Sequence, residues 1–152
     1  MKTTKFGYRP KCLKLHEVVG PELYKKYGLT NPEYLWRLID ESILEAMDII
    51  KEFYNGAKIT VNNYYWKGNR KESGLRDMNT STGASLSAHK FGRAIDFQIE
   101  KVSSEQVQSD IRNNKLPARF YDLINTVEKG TVGWTHIARL NYVTNSIVWV
   151  NP

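Results

Sequence analysis

Two histidines and an aspartate are the residues of this chain best suited to hold a metal ion: His89, Asp96 and His136. His89 ends a polar stretch, Asp96 follows seven positions later, and His136 lies in the separate run Trp134-Thr135-His136-Ile137. Imidazole nitrogen and carboxylate oxygen are good zinc ligands, and catalytic zinc sites commonly use three protein ligands and leave a fourth position to water. A metal held this way polarises a carbonyl and brings the pKa of its water toward neutrality. Spacing alone leaves a second reading open, because two histidines and an aspartate also serve as satisfied core or surface groups. Gly92 and Ala94, between the first two candidates, are small enough to let the backbone turn closely around an ion.

The elements that must carry these groups follow from local pattern. Residues 67–88 are rich in Gly, Ser, Thr and Asn and read as one long loop, of the kind that is often functional in a compact domain. Residues 93–99 read as a strand, and so do 58–66, which are rich in β-branched and aromatic side chains. Residues 134–140 and 146–150 read as two final strands, paired around a turn at 141–145. Upstream, residues 32–54 read as one helix. Asn31 caps it, Pro32 occupies its first turn, and Leu35, Leu38, Ile39, Ile43, Met47 and Ile50 form one apolar stripe. Ser103 with Gln106 forms a capping box for a helix to about residue 113, and Pro117 opens a last helix that runs to near Gly130. The expected fold class is α+β, a small, mostly antiparallel sheet flanked by helices, with residues 1–152 forming one domain.

Composition narrows the classes. Apolar residues make up 41% and charged residues 25% of the chain, which points to an ordinary soluble globular domain and away from disorder. One cysteine, Cys12, excludes an intramolecular disulfide framework, and Cys12 with His16 supplies too few ligands for a structural zinc site. No run approaches the ~18–20 apolar residues that span a bilayer, and the N-terminus lacks a signal-peptide apolar run. The net charge of +6 is concentrated in residues 1–31 and 58–76, on either side of the acidic block 32–57. Such an excess favours anionic polymers and equally serves solubility. No recognised nucleic-acid motif accompanies it, so nucleic acid is not the expected partner. Lys67–Lys71 reads as a solvated loop. Tyr65 and Trp66 are the aromatics best placed for a binding cleft, whereas Trp36, Trp134 and Trp149 read as core or sheet-face residues.

The segment Ser87-x-His89-x-x-Gly92-x-Ala94-x-Asp96, followed by Trp134-x-His136, resembles the signature of the LAS metallopeptidases. That group includes D-alanyl-D-alanine carboxypeptidases and dipeptidases, phage L-alanyl-D-glutamate endolysins and the zinc fold of hedgehog signalling domains. The resemblance is to its M15-type peptidases, above all the small phage-encoded ones. It extends over about residues 13–139, because Ser73-Gly74-Leu75-Arg76 is similar to the family's arginine-bearing segment and residues 61–66 to the strand before it. It implies a hedgehog-like zinc peptidase fold with Zn2+ on His89, Asp96 and His136. It further implies an Arg76 that binds a substrate carboxylate or carbonyl oxygen, and a Ser87 that holds substrate or ties down the loop. A planar guanidinium suits the first task.

Two departures from the family pattern concern the general base. Many relatives carry an acidic residue three positions before the last histidine, where this chain has Gly133. The small phage members often place an aspartate two positions after that histidine, where this chain has Ala138. Glu128 matches an acidic position in those small relatives and becomes the candidate base, although it also reads as an exposed residue near a helix end. The activity implied is zinc-dependent hydrolysis of a peptide bond in peptidoglycan stem peptides, by a lysin made in the cytoplasm. It would reach the cell wall on release or as part of a bacteriophage particle. The alternative is a binding or structural module of the same fold that has lost turnover, such as a virion component.

Overall fold

The computed structural model describes residues 7–152, so the first six residues of the N-terminal basic block lie outside the described part. Four helices come first: α1 (Leu15–Val18), α2 (Pro21–Tyr27), α3 (Pro32–Arg37) and α4 (Glu41–Phe53). Strand β1 (Ile59–Thr60) and a 3-10 turn at Tyr64–Trp66 lead into the long loop, and a second 3-10 turn, Ala88–Phe91, opens onto β2 (Ala94–Ile99). The chain continues through α5 (Ser104–Arg112), α6 (Ala118–Leu123), β3 (Thr126–Glu128), β4 (Thr135–Ala138) and β5 (Val148–Val150). The strands form one sheet in the order β1-β2-β4-β3-β5, antiparallel throughout except for the β3–β5 pair. This is the mixed α+β class, with a mostly antiparallel sheet, that the pattern predicts.

One face of that sheet makes the core and the other makes the site. Side chains alternate along β2, so Ile95, Phe97 and Ile99 are buried in the core while Ala94, Asp96 and Gln98 point the other way. Ile137 on β4 and Val127 on β3 join the core side. Leu44, Met47 and Ile50 of α4, Val107 and Ile111 of α5, and Phe120 and Leu123 of α6 belong to the same apolar cluster. Ser103 caps α5 by accepting the Gln106 N–H at 3.1 Å, as its sequence pattern predicts.

Four element boundaries differ from the sequence expectation, each for a local reason. The helix expected over residues 32–54 is broken at 38–40. Asp40 Oδ1 accepts the Ser42 N–H at 2.8 Å and starts a second helix, while the Asp40 N–H goes to the Gly92 carbonyl at 2.9 Å. The strand expected over 58–66 stops at Thr60, because the Asn62 N–H bonds Glu17 O and the Asn63 side chain accepts the Arg70 N–H. The helix opened by Pro117 ends at Leu123, and Thr126, Val127 and Glu128 form β3. Finally, β5 does not turn back on β4. It runs parallel to β3, anchored by Val148 N to Asn125 O at 2.9 Å and Lys129 N to Val150 O at 2.9 Å.

The break between α3 and α4 explains Gly92. This glycine ends the 3-10 turn in the left-handed region at φ +67, and a Cβ on it would lie 1.8 Å from the Leu38 carbonyl oxygen. Its smallness therefore answers to the backbone of the α3–α4 junction, not to an ion as the sequence suggests. Left-handed geometry and overpacking each cost an L-residue on the order of 1–3 kcal/mol. Gly92→Ala is expected to lower unfolding stability by about 2–4 kcal/mol in urea titrations. A variant within about 0.5 kcal/mol of wild type would show that this close approach does not constrain the fold.

Candidate metal centre

The sheet register brings two of the three candidate ligands together. Asp96 on β2 and His136 on β4 are direct cross-strand partners, so their side chains share the face turned away from the core. His136 Nδ1 lies 2.7 Å from Asp96 Oδ1. His89 reaches the same carboxylate from the turn before β2, with Nε2 3.3 Å from Asp96 Oδ2. The two imidazole rings are 5.1 Å apart, and one ligand atom from each of the three residues lies within 4.8 Å of the others. His89 is only 3% exposed.

The donor set fits a cation. His89 Nδ1 is 2.9 Å from the Gly74 carbonyl, which can only accept, so that nitrogen carries the proton. In neutral His89, Nε2 is then a bare lone pair facing an ionised carboxylate oxygen, and two acceptors face each other stably only with a cation between them. That cation is either a second proton on the imidazole or a metal ion. A carbonyl that fixes the tautomer of a histidine is also the usual outer support of a metal ligand. Burial pushes the Asp96 carboxyl up, but hydrogen bonds from His136 and His89, and the positive charge of those rings when protonated, outweigh it and hold the group well below the usual carboxylate range. Asp96 is therefore an anion in the folded protein, and Arg76 Nη2 stands 3.6 Å from its Oδ2.

A short segment, residues 73–76, supports the whole centre. Ser73 O accepts the Asp96 N–H at 2.7 Å, Gly74 O holds His89, and the Arg76 N–H donates to His89 O at 3.1 Å. The same segment is tied to the α1–α2 junction by Leu75 N to Val18 O and Gly20 N to Leu75 O, each 2.8 Å. Buried Asn62 clamps both sides, accepting from Ser73 N at 2.9 Å and donating to Val19 O at 3.2 Å. Gly74 has no room for a side chain, since a Cβ would sit 2.2 Å from Val18 O. Arg76 is aimed by its Nε–H to Glu72 O at 2.6 Å, and the Glu72 carboxylate is in turn held by the Thr80 and Thr82 hydroxyls.

His89, Asp96, His136 and Arg76 are thus gathered in one place. Ser87 begins the turn that carries His89, and Gly83 has both it and Arg76 as neighbours: a Cβ on Gly83 would be 2.7 Å from Arg76 Nη1 and 3.8 Å from Ser87 Oγ. Glu128 is not near a helix end. It closes β3, whose pairing with β4 runs Thr126 to Ala138 and Val127 to Ile137. Continuing that register by one residue sets Glu128 opposite His136, on the site face of the sheet. Glu128 is not one of the converging ligands. Gly133 lies in a turn at φ +88, its carbonyl taken by the Gln98 side chain at 2.6 Å. Sequence patterns gave no sign of Asn62 or of the roles of Ser73 and Gly74, although Gly74 lies in the quoted arginine segment.

The other sequence candidates stand apart from the ligands. His16 stacks on Tyr65 with ring centroids 4.1 Å apart, and the Cys12 N–H is bound by Asp48, so the two do not form a metal pair. Trp66 and Tyr65 are 64% and 50% exposed. Among the described residues no helix is long and apolar enough to cross a membrane. Comparison with known proteins gives no match, whether to a family model, a curated protein or a solved structure.

Two outcomes follow from this geometry. Gly74→Ala should displace the carbonyl that orients His89 and weaken metal binding by about 10–100-fold, read by competition with a chromophoric chelator. Unchanged affinity would remove the Gly74 carbonyl from the centre. The second concerns acid stability of the metal-free protein. The depressed Asp96 pKa contributes stability that is whole above the unfolded value of about 4 and drains away as pH falls below it. Denaturation midpoints should therefore fall across pH 5 to 3, and Asp96→Asn should flatten that slope; an equal slope in the variant would assign the acid sensitivity elsewhere.

Proposed function

We propose that the chain is a zinc-dependent peptidase of the LAS, M15-type kind, acting on peptidoglycan stem peptides as a lysin does. The observation that carries this reading is the convergence of His89, Asp96 and His136 into one buried, cation-requiring group with Arg76 beside it. The resemblance of their motifs to that family supports the choice of zinc and of substrate, and the α+β sheet is compatible with a hedgehog-like fold.

In this proposal His89, Asp96 and His136 hold the ion. Bound zinc supplies Lewis acidity toward the scissile carbonyl and makes a water acidic enough to attack near neutral pH. The protein's own groups do the rest. Arg76 presents a planar fork to a substrate carboxylate and fixes the peptide against the site. Ser87, which with Arg76 neighbours Gly83, gives a hydroxyl to the same bound chain. Glu128 takes the proton of the attacking water on its carboxylate and returns it to the departing amine, so the amine leaves neutral.

Purified protein should contain about one zinc per chain, release soluble peptides from walls, and lose both zinc and activity in His89→Ala. Glu128→Gln should keep the metal and lower kcat by about 10²–10⁴-fold. If zinc-loaded protein leaves stem peptides intact, the enzymatic proposal fails. The second reading, a wall-binding or virion module without turnover, is favoured by Gly133 and Ala138, which leave Asp96 as the only carboxylate in the converging group. Binding to walls without cleavage, with Glu128→Gln indistinguishable from wild type, would select it.

A further inference from the structure

A groove of about 430 Å³ is enclosed by α2, α3, residues 75–79 and the turn that carries His89. Its walls are largely apolar, and four of the side chains that line it, Tyr34, Leu38, Met78 and Phe91, are exposed. Exposed apolar side chains gathered around one concavity, with a few polar groups among them, make the usual composition of a ligand pocket. The groove adjoins the metal centre. Arg76 lines it and also stands 3.6 Å from Asp96, and Lys90, another lining residue, directly follows His89.

Four charged side chains line the groove, and three of them are engaged. Lys26 lies over the Tyr27 ring at 5.1 Å, Arg76 has the Asp96 carboxylate and the Glu72 carbonyl, and Asp77 accepts the Asn79 N–H at 2.7 Å. Lys90 is different: only 9% exposed, its side chain makes no ion pair or hydrogen bond among the described residues. Its ammonium is not sealed in, because the side-chain polar atoms that are both fully buried and unpartnered among those residues belong to His16 and Arg70. The stem of Lys90 is thus covered and its charge opens on the groove. A cation set among apolar walls has lost hydration without gaining a counter-ion, and an entering anion supplies one. The Lys90 N–H donates to Ser87 O at 2.9 Å and Gly92 is seated against Leu38, so the backbone that carries this charge is fixed before a ligand arrives.

We propose that the groove binds a stretch of the substrate peptide adjoining the metal centre, with Lys90 donating to an acidic side chain and Leu38 and Phe91 covering an apolar neighbour. Lys90 is then a specificity-determining residue outside the metal ligands. The proposal rests on the peptidase reading and adds to it a preference for an acidic residue beside an apolar one.

Zinc-loaded protein is titrated with acetyl-leucyl-glutamate amide and with its glutamine counterpart, and binding is read by NMR at the Leu38 and Phe91 side chains. Wild type should bind the acid about tenfold more tightly. Lys90→Met, which keeps an apolar stem and removes the charge, should lose that preference while zinc affinity stays within about twofold. Phe91→Ala should weaken both probes alike. Preference retained in Lys90→Met overturns the proposal, and so does its loss together with zinc, which would make Lys90 a support for His89. Unchanged binding in Phe91→Ala overturns it too. If Lys90→Met does not fold, wild type decides: a nuclear Overhauser contact between the Lys90 ε-protons and the glutamate γ-protons of the probe supports the proposal, and its absence overturns it. No acid preference in wild type, or Leu38 and Phe91 signals that move on dilution of the protein by itself, as for a second copy in the groove, likewise overturns it. Each of these failures leaves the peptidase reading standing, which falls only if zinc-loaded protein fails to cut stem peptides.

Discussion

A single carboxylate with two imidazoles facing it is the constraint around which this protein is arranged. Asp96 is buried enough to disfavour its charge, yet it stays ionised because His136 and His89 each address a different oxygen. One His89 proton is committed to Gly74, so the opposite nitrogen can meet the Asp96 anion only with a second proton or across a metal ion. A group of this kind is frustrated without a cation and satisfied with one. Its geometry must be imposed by the rest of the chain, since the ligands alone would relax apart.

Three independent pieces of backbone impose it. The β2–β4 register sets Asp96 against His136, and the alternation of the strands keeps both off the core face. The 3-10 turn carrying His89 is pinned by Gly92 against the α3–α4 junction, which couples the position of an imidazole to the place where a long helix is broken. Residues 73–76 bind both ligand-bearing segments at once and are themselves held by Asn62 and by the α1–α2 junction. Core and site therefore occupy opposite faces of one sheet. Apolar packing supplies rigidity without placing apolar side chains among the ligands.

The electrostatic balance of the centre is consistent with the proposed chemistry. Arg76, 3.6 Å from the Asp96 carboxylate, is the guanidinium placed to favour an anionic guest. In the proposed reaction the base is borrowed from the neighbouring strand, since the positions usual in the M15-type peptidases that the motifs resemble are Gly133 and Ala138 here. Glu128 suits that part because β3 lies next to β4 and presents it on the face that His136 occupies. A carboxylate one strand away from the ligands can serve as base without competing for the ion.

Local chemistry was legible where it is written in residue type and short spacing. The α+β class, the strand around Asp96, the cap at Ser103 and the three side chains able to hold an ion were readable in the sequence, because strand alternation, capping and ligand preference are properties of a few neighbouring residues. The break at Asp40, the short β1, the strand that holds Glu128 and the parallel seat of β5 did not follow. Each depends on a partner distant in the chain: Gly92 for Asp40, Glu17 for Asn62, Ala138 for Thr126, Asn125 for Val148. Convergence of the ligands is of the same kind. Sequence determined which side chains could bind an ion, and only tertiary structure decided that they meet, because the distances between them are fixed by cross-strand register and by carbonyls from residues far away in the chain.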